Sequence, residues 1–156
     1  MDAARRILKY VKSTLQYGLF YETGVQIQLH GYTDADWAGS ISDRRSTSGY
    51  VFSFGSAAVT WSSKKQPTVA LSSTEAEYRG AAMAACEVAW LHKLLYDMHQ
   101  STDGLVVIYF NNMSSIHLAN NPVYHARTKH IEVHYHYVGE KVLLGLIDLV
   151  YVSTED

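Results

Sequence analysis

The sequence predicts an α+β domain built on a mixed five-stranded sheet flanked by helices. Three observations predict it. Three short segments with apolar alternation follow one another with only turns between them, the pattern of an antiparallel meander. A stretch from about Glu75 to Met98 then carries apolar residues at helical spacing. Two further apolar runs follow, separated by helical segments, so the order reads β-β-β-α-β-α-α-β. A strand reached through a long helical crossover joins its sheet in parallel, which places strands one and four side by side.

Each element has its own signal. Ala3 to about Leu15 reads as an amphipathic helix with Ala4, Leu8, Val11 and Leu15 on one stripe. Arg5, Lys9 and Lys12 line a neighbouring face, read as solvated. Gly18 and Gly24 punctuate a connector, so residues 1–24 form a helix and linker ahead of a domain over 25–156. Val25–His30 alternates as strand one. Tyr50–Phe54 is strand two, Gly55-Ser56 a turn and Ala58–Ser62 strand three. After the break Lys64-Lys65-Gln66-Pro67, Ser73 or Thr74 is placed to cap the long helix. Glu77, Ala81, Ala84, Val88, Leu91 and Leu95 share one face of it. Leu105–Phe110 is a β-branched buried strand. Met113–Ala119 and Lys129–Lys141 read as helices, and Leu146–Val152 as the last strand.

Composition bounds the function. The chain has 156 residues, 47% hydrophobic and 18% charged, which suits one folded domain rather than a disordered segment. A net charge of −2 argues against indiscriminate coating of nucleic acid while leaving room for a local basic groove. The single cysteine, Cys86, sits among alanines and reads as a packed thiol. No apolar run reaches the roughly 20 residues of a membrane span, and Met1–Arg6 lacks a secretory core. The expectation is an intracellular protein, cytoplasmic or nuclear, with no membrane partner.

The chemistry lies where polar residues interrupt this pattern. Gly31-Tyr32-Thr33-Asp34-Ala35-Asp36-Trp37 follows a strand, and Ser72-Ser73-Thr74-Glu75-Ala76-Glu77-Tyr78 enters a helix. Asn111-Asn112-Met113 ends another strand. Carboxylates from two strand ends and one helix can converge on a pair of Mg²⁺ ions and hydrolyse a phosphodiester. Asp34 is the best first ligand. Glu77 is the best second, since its helical face is otherwise apolar and an unpaired buried carboxylate is costly. Asp36 and Glu75 are their rivals; Glu75 lies about 200° round the helix from Glu77 and suits a cap. The third position holds an amide, Asn111.

The whole chain resembles the ribonuclease H domain of copia-type retrotransposon polyproteins, from plants in particular. The matching pieces are Arg6–Lys12, Gly31–Gly39, Arg45–Tyr50, Trp61–Gln66, Leu71–Tyr78 and Arg127–Ile131. The resemblance implies a ribonuclease H fold that cuts the RNA strand of RNA–DNA hybrids with Mg²⁺ or Mn²⁺. It matches Asp34 to the first catalytic Asp and Glu77 to the catalytic Glu, both metal ligands. It also shows departures. Asn111 stands where the metal-bridging Asp is expected, Met113 where a polar residue is, and Gly139 where an Arg is usual. The fourth ligand is expected beyond Asp156, so the domain over 25–156 lacks the family's C-terminal end. An Asn carbonyl coordinates but neither neutralises nor bridges as a carboxylate does. The expectation is a relic or reused piece of a retroelement, its metal weakly bound and its hydrolysis impaired or lost, that binds RNA–DNA hybrid or double-stranded RNA. The alternatives are an active ribonuclease H, using Mn²⁺ or a carboxylate borrowed from Asp36 or Glu75, and a protein-interaction module on the same scaffold.

Lys64, Lys65, Arg79, Arg127 and Lys129 are the candidate phosphate contacts, giving salt-sensitive, largely sequence-independent binding. Trp37 and Trp61 read as core residues rather than stacking platforms. His125, His130, His134 and His136 form a local group. His130 and His134 lie four apart, a spacing used by zinc, but no cysteine accompanies them.

Overall fold

The computed structural model describes residues 1–24, 28–100, 104–120 and 132–153. Its elements are α1 (Asp2–Ser13), β1 (Leu29–Ala35), β2 (Thr47–Phe54), β3 (Ala57–Lys65), α2 (Ser73–Asp97), β4 (Val106–Phe110), α3 (Met113–Asn120), α4 (Glu132–Leu143) and β5 (Ile147–Tyr151). The strands form one sheet in the order β3-β2-β1-β4-β5. The first three are antiparallel neighbours, and β4 runs parallel to both β1 and β5. The expected mixed sheet and the parallel pairing of strands one and four are therefore present.

Strand one is displaced from its predicted position. The described strand runs Leu29–Ala35, and Val25–Ile27 lie outside the described residues. The shift has a packing cause. β1 pairs along its whole length with β2, from Leu29 opposite Phe54 to Ala35 opposite Ser48. Its alternate residues Leu29, Gly31, Thr33 and Ala35 are buried, although only two of them are apolar side chains of any size. Gly31 is required there, because a Cβ would stand 2.3 Å from the Phe52 ring. β2 and β3 also run further than the apolar pattern, into Thr47–Gly49 and Ser63–Lys65, because the ladder continues through polar residues.

The residue that caps α2 is Ser72 rather than the predicted Ser73 or Thr74. The Ser72 side chain accepts the Glu75 N–H at 3.1 Å and satisfies one of the free amides of the first turn. The predicted stripe faces inward: Glu77, Ala81, Ala84, Val88 and Leu91 are all buried. They pack with Phe52, Ile108, Phe110 and Ile147 from the sheet and Val138 from α4, forming the main core on one side of the sheet. Small residues let α2 approach β1 closely. Ala35 and Ala76 cluster, and a Cβ on Gly80 would meet Thr33 Oγ1 at 3.4 Å.

Two burial expectations are corrected, those for the tryptophans and for Cys86. α1 is amphipathic, yet it has no buried residue, so its apolar stripe is exposed among the described residues. Trp37 and Trp61 are 55% and 65% exposed rather than core. Trp37 instead donates its indole N–H to the Ala70 carbonyl. Cys86 is exposed, because its neighbours Ala84, Ala85 and Val88 take the inward positions on α2. Among the described residues no helix is long and apolar enough to cross a membrane.

Candidate active site

Three elements bring Asp34, Glu77 and Asn111 to one end of the sheet. Asp34 lies inside β1, opposite Gly49 of β2. Asn111 follows directly on β4. Tyr32 pairs with Tyr109, so Asp34 and Asn111 are the next residues on the same face of neighbouring parallel strands. The Asn111 amide nitrogen points at an Asp34 carboxylate oxygen, 3.4 Å away. Asn112 then caps α3 by accepting the Ser115 N–H at 3.0 Å, which holds the chain after β4 in place.

Glu77 reaches the same place from α2. It is 7% exposed, and its Oε2 has no partner. Burial first, then the negative charge of Asp34 and a hydrogen bond with it, push the Glu77 pKa up to about 8; the Ala35 backbone opposes the rise. At neutral pH the carboxyl is therefore largely protonated. Two carboxylates crowd together with an amide where a further carboxylate is expected from the resemblance.

The rival carboxylates are committed elsewhere. Asp36 lies just past the end of β1, where it clasps the Thr47 backbone: its N–H donates to the Thr47 carbonyl, and its carboxylate accepts the Thr47 N–H. A Cβ on Gly39 would strike the same carboxylate, so this clasp needs glycine there. Glu75 is 2% exposed, pairs with Arg79 at 2.6 Å and accepts the Leu71 N–H at 2.8 Å.

The basic residues divide. Lys64, Lys65 and Arg79 line a cavity of about 590 Å³ that also involves Gln66, His134 and Tyr137. Arg79 is bound to Glu75 and Thr68, and Lys65 lies 3.3 Å from Asp43. Lys64 forms no ion pair among the described residues. Arg127 and Lys129 lie outside the described residues, as do His125 and His130. Among the described residues no group of three or more His, Cys, Asp or Glu side chains is arranged to hold a metal. Burial, then the Arg79 charge, lowers the His134 pKa.

Sequence reasoning missed the aromatic surface beside the site. Tyr32 and Tyr109 stack at 5.0 Å. With Asp34, Tyr50, Asn111 and Val152 they line a cavity of about 340 Å³. The signal was available, since Tyr32 and Asp34 are two apart, as are Tyr109 and Asn111, and so share a strand face.

Solved structures with this architecture include ribonucleases H. LC11-RNase H1 in complex with RNA/DNA hybrid gives a TM-score of 0.59 at 13% identity, covering 82% of this chain and 87% of its own. RNase H1 from the halophilic archaeon Halobacterium salinarum gives 0.57 at 12% identity, with the same coverage of each chain. The foamy viral protease-reverse transcriptase in complex with RNA/DNA hybrid gives 0.59 at 15% identity, over 88% of this chain and 19% of that one. The fold is therefore ribonuclease H-like. No protein-family model matches the chain.

Relatives that match over essentially the whole chain include retrotransposon polyproteins. Retrovirus-related Pol polyproteins from transposons RE2 and RE1 of Arabidopsis thaliana are each 42% identical, over 99% and 100% of this chain. That from transposon TNT 1-94 of Nicotiana tabacum is 41% identical over 99% of it. The similarity to copia-type polyproteins expected from the motifs thus extends over essentially the whole chain. The chain spans only 11–12% of the length of these relatives.

Proposed function

We propose that this chain is a retrotransposon-derived ribonuclease H-like domain, formed by residues 25–156 behind an N-terminal helix and linker, that has lost most or all hydrolysis while keeping an affinity for RNA–DNA hybrid or double-stranded RNA. One observation carries the reading: the Asn111 amide faces Asp34 at 3.4 Å, where catalysis calls for a third carboxylate.

The donor set fits one cation and not two. Asp34 and Glu77 supply two carboxylates, and the unpartnered Glu77 Oε2 is an orphaned oxygen that a single Mg²⁺ or Mn²⁺ would satisfy. A pair of dications would share too little negative charge, and binding even one requires Glu77 to give up a proton held near pKa 8. When bound, a divalent ion supplies Lewis acidity and an activated water. Without a bridging carboxylate the residues hold it weakly. Loss of one such group costs orders of magnitude in rate.

Binding rests on the cations. Lys64 and Lys65 sit two strands from the row of Asp34, about 10 Å away. With Arg79, Arg127 and Lys129 they supply phosphate contacts. The similar foamy viral and LC11 proteins were solved with RNA/DNA hybrid, which supports the same class of ligand here. The commitments of Asp36 and Glu75 argue against either as a borrowed carboxylate.

The test is cleavage of a labelled RNA–DNA hybrid in Mg²⁺ and in Mn²⁺ by the natural chain, Asn111→Asp and Asn111→Asp/Glu77→Ala. The expected result is silence from the natural chain, cutting by Asn111→Asp and silence from the double variant. Cutting by the natural chain that Glu77→Ala abolishes would make it an active ribonuclease H. Absence of salt-dependent hybrid binding in all variants would favour a protein-interaction role.

A further inference from the structure

Trp37 is an exposed ring that the chain holds still. Its indole N–H is already used, donating to the Ala70 carbonyl at 3.2 Å. The backbone on either side is fixed as well. Asp36 clasps Thr47 with both its N–H and its carboxylate. The Ala38 N–H donates to Ser46 Oγ at 3.0 Å, and Ser46 is fully buried. Ala38 holds a φ of +54° there, a left-handed conformation that is unfavourable for a residue with a Cβ. A solvated surface tryptophan needs none of these restraints. Strained backbone that fixes an exposed ring points to a contact made outside the chain.

The place of the ring identifies that contact. Asp34 lies three residues earlier, so the two Cα atoms are within about 11 Å. Ala70, the anchor of the indole, packs with Ala35 and Ala76, the chain neighbours of Asp34 and Glu77. Trp37 therefore bridges the two segments that carry the carboxylates. Val69 and Leu71, on either side of Ala70, are exposed and widen the apolar surface. Lys64 and Lys65 end β3 and open the same connection to α2. Carboxylates, an aromatic ring and cations thus share one end of the sheet. A polynucleotide strand offers the matching groups: a phosphate for a cation held by the carboxylates, a sugar for the ring and further phosphates for the lysines.

We propose that Trp37 packs on the sugars of an RNA–DNA hybrid in its minor groove and makes binding selective for hybrid over duplex DNA. The inference rests on the hybrid-binding reading above and names the residue that carries its specificity. Groove shape supplies the selectivity. A hybrid takes an A-like form, whose minor groove is wide and shallow and displays 2′-hydroxyls. The minor groove of B-form DNA is only about 6 Å wide, too narrow for a fixed indole to lie across. The lysines reach phosphates on either duplex and do not discriminate.

Equilibrium binding to a labelled hybrid and to duplex DNA of the same sequence tests it, with Trp37→Ala, Trp37→Phe and Lys64→Ala alongside. Circular dichroism and urea unfolding check each fold. Trp37→Ala should lower hybrid affinity roughly tenfold and leave duplex DNA affinity unchanged. Trp37→Phe should recover most of the loss, since it restores a ring without the bond to Ala70. Trp61 and Trp90 are the other two tryptophans. In a Trp61→Phe/Trp90→Phe background, hybrid should quench the remaining Trp37 emission. Hybrid affinity that is unchanged in Trp37→Ala but lowered in Lys64→Ala overturns the role of the ring and leaves hybrid binding standing. Equal losses on the two duplexes overturn it too. So do equal losses in Trp37→Ala and Trp37→Phe, which would assign the effect to the Ala70 bond. If the natural chain binds no hybrid at all, the hybrid-binding reading falls and this inference with it.

Discussion

Replacing Glu77 by Gln should stabilise the fold, and only at high pH. Glu77 is buried beside Asp34 and its pKa is raised from 4.5 to about 8. The sign follows from proton linkage. Between those two values the unfolded chain has released the proton while the folded chain still holds it. Stability therefore falls as pH rises through this window, and the full penalty is present above about pH 8. Each unit corresponds to about 1.4 kcal/mol, so the shift sets a ceiling near 5 kcal/mol. Relaxation of the surroundings lowers the effective penalty of a buried charge below that ceiling, so about 2–3 kcal/mol is the working figure. Gln has similar volume and no charge to desolvate. Urea unfolding in chelator should show Glu77→Gln gaining about 2–3 kcal/mol on the natural chain between about pH 5 and pH 8.5. A difference that stays flat across that range would refute the account of Glu77 as a buried, charge-crowded acid. Millimolar Mg²⁺ or Mn²⁺ at the upper pH should narrow the gap, since a cation on the two carboxylates stabilises only the natural folded form.

Other perturbations test the remaining elements. Gly31→Ala drives a Cβ to 2.3 Å from the Phe52 ring and should cost about 1–3 kcal/mol in thermal or urea unfolding. Arg79→Ala strips the guanidinium from Glu75, which is 2% exposed, and should cost roughly 3–5 kcal/mol, partly recovered by Arg79→Lys. Glu87→Gln weakens the acceptor for the Tyr50 and Thr60 hydroxyls. The Tyr50 pKa, held up to about 12 by burial and then by Glu87, should drop, as ultraviolet difference titration would show. If the chain binds hybrid as proposed, Lys64→Ala should lower the slope of log K against log salt by about one ion, with little change in sequence preference.

The position of Asn111 bears on the crowding of the two carboxylates. Asp34 and Glu77 come together because small residues on α2 and β1 allow a close approach. That proximity is unfavourable without compensating positive charge. The Asn111 amide N–H, an uncharged donor, is directed at the Asp34 carboxylate. A carboxylate at position 111 would add a negative charge there instead.

The sequence by itself determined the element order, the inward stripe of α2 and the choice of Asp34, Glu77 and Asn111 as residues to be looked for together at one end of the sheet. Periodicity is a local property, and α2 is long enough to display it over many turns. The tertiary structure decided the rest. Only pairing with β2 and β4 moved the described strand one to Leu29–Ala35, since Gly31 and Thr33 show no apolar alternation until Phe52 and Gly80 pack against them. Only the packing showed that Asp36 clasps Thr47 and that Glu75 belongs to Arg79, because a carboxylate's partner depends on which elements lie beside it. The same limit applies to α1, Trp37, Trp61 and Cys86. Their sequence marks them as apolar, but burial requires a neighbour, and whether a neighbour exists is settled by how the whole chain packs.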